Sequence, residues 1–248
     1  MENVSKTLYF TLCSRANDQD FDDPIAKEII ANNPEIKKYS PGLLTQKLIV
    51  HRAKFFDRQI FLAQQNINQP LTLINLGGGL CSRFDRVKNI IGQSIHLDLP
   101  DVIDLLNKTF TKTADHLIKA DLNLPEWPTE IKKILIADHI PYFTMEGVSM
   151  YLQKESLLKI FSELPEKFPQ GFITLDLLHP FFKNKSYLIK DVASVNAKFY
   201  SGIFHTNEIL AANAKLKLNH YRSPFSVSGL PQIFPFNLYQ FATFCWGI

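Results

Sequence analysis

Three consecutive glycines, Gly77-Gly78-Gly79, close a short apolar run, and Asp98 closes the next one about twenty residues on. Glycines lack a Cβ, so a loop built from them lets its backbone approach a ligand closely and take positive φ. A carboxylate placed after the following strand can accept hydrogen bonds from a pair of ribose hydroxyls, a device shared by nicotinamide and S-adenosylmethionine sites. Taken alone, the glycines serve a tight turn equally well, so the reading rests on the pair. The dinucleotide fingerprint wants a further glycine five positions after the first, and Ser82 stands there, which argues against a pyrophosphate. Asp121-Leu122 ends a third apolar run. Its aspartate can accept from an adenine amino group while the leucine covers the ring, and it can equally cap a turn.

These groups need a scaffold that brings strand ends together. Residues 24–32 and 43–65 carry apolar side chains at three- and four-residue spacing and are predicted as amphipathic helices. The period then changes. Leu71–Leu76 reads as a buried strand, followed by strands over Gln93–Pro100, His116–Leu122, Pro141–Glu146 and Gly171–Leu178. Helices are predicted over Val102–Phe110, Thr129–Ile140, Lys154–Phe168 and around Asn207–Ala214. Lys215–Tyr221 and Leu238–Trp246 complete the set as strands, the last a candidate antiparallel one. Such alternation predicts a doubly wound α/β fold, a mainly parallel seven-stranded sheet with helices on both faces. Ligands of such sheets bind at the carboxyl ends of the strands.

Bulk properties narrow the partners. A chain of 248 residues with 46% hydrophobic and 21% charged residues is predicted to form one globular domain. A net charge of +3 gives no support to nucleic-acid binding. Cys13, Cys81 and Cys245 are odd in number and widely spaced, which suggests neither a disulfide framework nor a metal site. With no signal-like N-terminus and no long apolar span, the expectation is a soluble cytoplasmic protein that does not engage a membrane.

In this order NLGGGLCSRFDR, HLDLPDVI, KADL and MEGVSMYL resemble the leucine carboxyl methyltransferase family, its polyketide O-methyltransferase branch in particular. The similarity extends upstream through TLYFTLCSRAND, DDPIAKEI and HRAKFFD, covering Thr7 to Asp176. It implies a Rossmann-like class I methyltransferase with N-terminal helices (1–66), a cofactor-binding core (71–178), and an acceptor lid inserted after strand five with the last strands (179–248). The implied cofactor is S-adenosylmethionine. Gly77 and Gly79 would lie beside its methionine moiety, Asp98 at the ribose, Asp121 and Leu122 at the adenine, Arg52 at the carboxylate and Glu146 beside the sulfonium. Most members have Asp-Thr-Arg where this chain reads Cys81-Ser82-Arg83, which removes one expected polar contact. Cys81 itself reads as an inert loop residue.

Methyl transfer from a sulfonium asks the protein mainly for proximity and exclusion of water. A carboxylate acceptor needs no base, whereas a hydroxyl benefits from one, and Tyr151, Asp176, His179 and His205 are the candidates near strand ends. Tyr151 is favoured with Glu146 because the family match covers both. Phe181, Phe182, Tyr187, Phe199, Tyr200 and Phe204 are expected to line a pocket for an apolar or aromatic small-molecule acceptor, or else to be ordinary core. Two rival functions share these residues, methylation of a protein's C-terminal carboxylate and non-catalytic binding of the nucleoside.

Overall fold

The computed structural model describes residues 2–193, 197–223 and 238–248. Its strands are β1 (Leu71–Leu76), β2 (Ile91–Asp98), β3 (His116–Lys119), β4 (Ile140–Met145), β5 (Gly171–Leu178), β6 (Lys217–Arg222) and β7 (Tyr239–Trp246). They form one sheet in the order β3-β2-β1-β4-β5-β7-β6. Strands β1 to β5 run parallel, while β7 lies antiparallel between β5 and β6, as expected for the final strand. The order reverses beside β1, so a crevice opens at the carboxyl ends of β1, β2 and β4.

Alternating side chains give the two faces different chemistry. On one, Ile74, Leu76, Ile95, Leu97, Phe143 and Met145 pack against α6 (Trp127–Ile134) and α7 (Lys154–Lys167) through Trp127, Ile131, Leu157 and Phe161. On the other, Leu71, Leu73, Tyr142 and Phe172 meet α1 (Glu2–Asn17), α2 (Pro24–Asn32) and α3 (Leu43–Gln65) through Leu12, Ile29 and Ile60. This second face turns polar toward the carboxyl ends, where His96, Asn75, Thr144, Thr174 and Thr243 stand in register across five strands. Asp98, Glu146 and Asp176 continue that face one step further.

Several boundaries differ from the sequence reading. The helix expected over Thr129–Ile140 stops at Ile134, because Leu135 is extended (φ −65°, ψ 126°) and Asp138 takes a left-handed turn (φ 66°). That turn lets Ile140 open β4. The third strand ends at Lys119, and α9 (Asn207–Leu210) is shorter than predicted. Helix α1 falls within the N-terminal helical region (1–66) that the resemblance implies, although the apolar period did not single it out, since it lacks a clean apolar stripe. The short α4 (Arg83–Arg86) follows the glycines, α5 (Pro100–Thr109) starts on a proline whose fixed φ suits a first turn, and α8 (Lys190–Ala193) lies between β5 and β6. No helix among the described residues is long and apolar enough to cross a membrane.

Candidate functional site

Gly77 and Gly79 both adopt positive φ, 64° and 56°. A Cβ at either would also collide with a neighbour, the Val148 side chain and the Leu8 side chain respectively. The loop is tied to β2. Gly77 N donates to Leu97 O at 2.8 Å and Gly79 N to Asp98 Oδ2 at 2.7 Å, while Leu99 N donates to Asp98 Oδ1 at 2.7 Å. Each Asp98 oxygen therefore holds one backbone donor and keeps a lone pair for a ligand. Burial pushes the Asp98 carboxyl up to about 6, and the two backbone N–H groups only partly oppose it. Beneath Gly78 lies the fully buried His96 ring, which desolvation pulls down to about 4 and so keeps neutral.

This loop forms one end of a cavity of about 760 Å³, toward the upper part of the roughly 300–1,000 Å³ typical of small-molecule sites. Asp98, Leu99 and Val102 line it on the β2 side, with Asp121 and Leu122 beyond β3. Asp121 Oδ1 accepts from both Asn123 N and Asn123 Nδ2 at 2.9 Å, the turn-capping geometry that sequence allowed, while Leu122 stays buried on the wall. The other end is apolar, lined by Leu48, Met150, Tyr151, Leu178, Phe182 and Phe199, while Leu8 of α1 lines the cavity beside Gly79. Of the aromatic residues expected there, Phe182, Phe199 and Tyr200 line the cavity. Phe181, Tyr187 and Phe204 instead lie on the surface, Tyr187 with 65% exposure. Residues 194–196 of that segment lie outside the described residues.

Between the two ends runs a chain of alternating charges. Arg52 Nε donates to Glu146 Oε1 at 2.9 Å, and its Nη1 to Asp176 Oδ2 at 3.2 Å and to Tyr239 Oη at 3.0 Å. Arg83 Nη2 donates to the other Glu146 oxygen. Asp57 then links Arg83 (2.6 Å) to Arg86 (2.7 Å), and Asp23 links Arg86 (2.9 Å) to Arg15 (2.8 Å). Four acids alternate with four arginines, so the burial of every charge except the terminal Asp176 and Arg15 is offset by two opposite neighbours. Burial alone would raise Glu146, but Arg83 and then Arg52 hold it far below the ordinary carboxylate range. Burial also pushes the Tyr151 phenol up to about 12.

Thus Arg52, Gly77, Gly79, Asp98, Asp121, Leu122, Glu146 and Tyr151 all line one cavity. Asp176 is fully buried, with its Oδ1 accepting from Gly147 N at 2.6 Å. His179 accepts from Phe181 N at 3.0 Å and packs edge-on against Phe204, and neither His179 nor His205 lines the cavity. Sequence reasoning missed Asn75, Thr144 and Tyr239 on the wall, and Asp57, Arg86 and Asp23 behind it. Only structure joins these, because their partners lie up to 187 positions away. The donor set suits S-adenosylmethionine: positive-φ glycines where a Cβ would collide, an aspartate with free lone pairs, and an arginine whose Nη2 makes no hydrogen bond among the described residues. No cluster of metal-ligating side chains occurs among the described residues, and the three cysteines are free.

The family model for leucine carboxyl methyltransferases matches residues 7–164. No curated protein matches the chain in sequence. Among solved structures, the chain is similar to a DUF574-family protein from Streptomyces avermitilis, at 13% identity and a TM-score of 0.61 over 98% of this chain and 97% of the other. A S-adenosylmethionine-dependent methyltransferase from Anabaena variabilis matches at 17% identity, with a TM-score of 0.56 over 79% and 85%. Another from Clostridium acetobutylicum matches at 10% identity, with a TM-score of 0.53 over 80% and 92%. These likenesses carry the fold.

Proposed function

The chain belongs to the leucine carboxyl methyltransferase family, a S-adenosylmethionine-dependent family, and from that premise we propose that it methylates an oxygen of a small apolar or aromatic metabolite, a hydroxyl or a carboxylate. One observation carries this reading. The cavity that begins at the glycine loop and Asp98 continues without a break into an apolar chamber walled by Met150, Tyr151, Phe182 and Phe199. A single space can therefore take a polar nucleoside at one end and an apolar acceptor at the other.

When bound, the cofactor supplies a methyl group already activated on a sulfonium. Asp98 would hold its ribose, Asp121 and Leu122 its adenine, and Arg52 its carboxylate. Glu146 remains ionised between Arg52 and Arg83 and supplies negative charge at the junction of the two chambers. The apolar wall excludes water, so an acceptor oxygen seated there loses its competitor. Residues 182, 189, 192 and 197–200 of the stretch between β5 and β6 form part of that wall, and in this reading they act as the acceptor lid.

The test is a calorimetric titration with S-adenosylmethionine and S-adenosylhomocysteine, with NAD as control, followed by turnover with a panel of aromatic acids and phenols. Binding of both sulfur nucleosides, lost in Asp98→Ala, with turnover on small acceptors supports the proposal. Turnover only on a peptide carboxylate, or binding without turnover on any acceptor, would replace it by protein methylation or by a non-catalytic binding role.

A further inference from the structure

We propose that the rim of the apolar chamber docks on an anionic phospholipid surface, so that the chamber opens toward a bilayer. The docking surface is read from its own residues, and only the arrival of an acceptor through it rests on the function proposed above.

Two segments of the chain meet at that rim. On α3, Leu48 packs with Phe182, Ile189 and Val192 against the buried cluster behind the chamber, and all four line the cavity. Leu44 lies one helical turn before Leu48 on the same face, and it is 80% exposed with Leu43 exposed beside it. In the second segment, Phe182 and Ile189 turn inward, while Phe181, Tyr187 and Leu188 stand on the surface. Five large apolar side chains therefore border one opening. Single exposed apolar residues are ordinary, but a group of them around a cavity mouth marks a surface made for contact.

Charge selects the partner. Residues 179–205 hold four lysines and one aspartate, a net charge of +3 that equals the formal net charge of the whole chain, so the rest of the protein is neutral on balance. Lys47 adds a positive charge one turn from Leu43, and residues 42–50 contain no acid. Lys47, Lys183, Lys185 and Lys198 make no ion pair among the described residues. Lys185 Nζ instead lies 4.2 Å from the centre of the Phe181 ring, a cation beside an exposed aromatic. Apolar side chains that enter the acyl boundary, and lysines whose flexible stems reach headgroup phosphates, are the two components of an interfacial anchor. A bilayer also concentrates the apolar molecules that suit the chamber behind the rim. Docking of this kind needs no spanning segment, so the lack of a long apolar span, on which the expectation of no membrane contact rested, does not bear on it.

Cosedimentation of the full chain with vesicles tests the proposal. Vesicles of phosphatidylcholine mixed with phosphatidylserine should carry the protein down, vesicles of phosphatidylcholine alone should carry far less, and binding should fall as salt rises. The triple variant Lys47→Ala, Lys183→Ala, Lys185→Ala is expected to weaken partition about a hundredfold, about fivefold for each lysine near the surface. Leu44→Ser with Tyr187→Ser is expected to weaken it about tenfold at constant charge. None of these five side chains is buried or lines the cavity, so thermal melting and S-adenosylhomocysteine binding should stay as they were. No binding to the mixed vesicles, or equal binding to both kinds, would overturn the inference. Full binding by the Leu44→Ser, Tyr187→Ser variant would overturn it too, since charge alone would then account for the adsorption. A dimer in solution that this variant splits would assign the rim to a second copy of the chain instead. A protein that binds mixed vesicles but no S-adenosylhomocysteine would overturn the cofactor reading and leave the docking surface standing.

Discussion

Arg52 and Glu146, on α3 and just past β4, form a direct ion pair at 2.9 Å although 94 positions separate them. Arg52 is the residue expected at the cofactor's carboxylate and Glu146 the one expected at its sulfonium, so two groups of one ligand would meet side chains that already restrain each other. Arg83 holds the second Glu146 oxygen, and Asp176 with Tyr239 holds Arg52 from behind. The geometry is therefore set before ligand arrives, which lowers the ordering cost of binding.

If Glu146 complements a sulfonium, its neutralisation must distinguish two ligands that differ in charge only at sulfur. Glu146→Gln is expected to weaken S-adenosylmethionine about tenfold more than S-adenosylhomocysteine, about 1.4 kcal/mol. Isothermal titration of both ligands gives the ratio. Equal weakening of the two would move Glu146's role from the sulfonium to holding Arg52.

Asp98 should couple binding to protonation. Its folded-state pKa is raised to about 6, so in the free protein the ionised form is disfavoured, and the stability this costs appears as pH rises from about 4 through 6. A ribose diol donating to the carboxylate favours ionisation and expels the proton. Titrations near pH 6 in buffers of different ionisation enthalpy should report release of up to about half a proton, and Asp98→Asn should abolish it. Affinity should fall as pH drops below 6, with no such fall in the variant.

How much of this was legible in the sequence depends on distance along the chain. Helices α2 and α3 and strands β1 and β5 lie where the apolar period put them, because their signal is local. The glycine loop and Asp98 were legible for the same reason, since a tight turn and the strand after it lie within one βαβ unit. Helix α6 was overextended because Leu135 and Ile136 continue an apolar pattern whose end is set by backbone angles at Leu135 and Asp138. The charge chain was not legible. Asp57 and Arg86 sit on helices where isolated charges read as solvated, and only packing of α3 against α4 turns them inward.

At the outer end of that chain, Asp23 titrates with the opposite sign to Asp98. Burial raises it, but Arg15 and Arg86 together with Ser82 and Ala26 N outweigh burial and bring it to about 2. A depressed carboxylate contributes stability that is present above about pH 4 and lost as pH falls toward 2. Denaturant unfolding between pH 5 and pH 2.5 should show a falling midpoint, and Asp23→Asn should flatten part of that slope while lowering stability at pH 7. A slope unchanged in the variant would remove Asp23 from the acid transition.

The glycine loop rests on a side chain. A methyl at Gly78 would overlap the buried His96 ring, meeting Nε2 at 2.7 Å. Because the ring has no open space to move into, Gly78→Ala is expected to destabilise the protein by about 1–3 kcal/mol, the usual scale of overpacking. Removing the obstacle should recover part of it, so Gly78→Ala with His96→Ala should melt higher than the sum of the two single losses implies. Strict additivity would mean that the two residues do not compete for the same space.

Tyr151 lines the apolar end of the cavity, proposed above to take the acceptor, and its ionisation state decides what it could do there. Burial raises the phenol to about 12, against the lowering effect of Arg52, so it stays protonated at pH 7 to 9. A neutral phenol can donate a hydrogen bond to an acceptor oxygen but is not a base at pH 7 to 9. The ring is also fixed in place, packed against Phe199 at 5.5 Å. Tyr151→Phe should therefore keep the pH profile of kcat/KM unchanged in shape while raising the acceptor's KM about five- to tenfold, the worth of one hydrogen bond of about 1 kcal/mol. Loss of an ascending limb in the variant would instead show that Tyr151 takes the proton, with a pKa lowered in the complex by bound acceptor. The two outcomes separate a chamber that positions an already ionised oxygen from one that deprotonates it, and so divide carboxylate from hydroxyl acceptors.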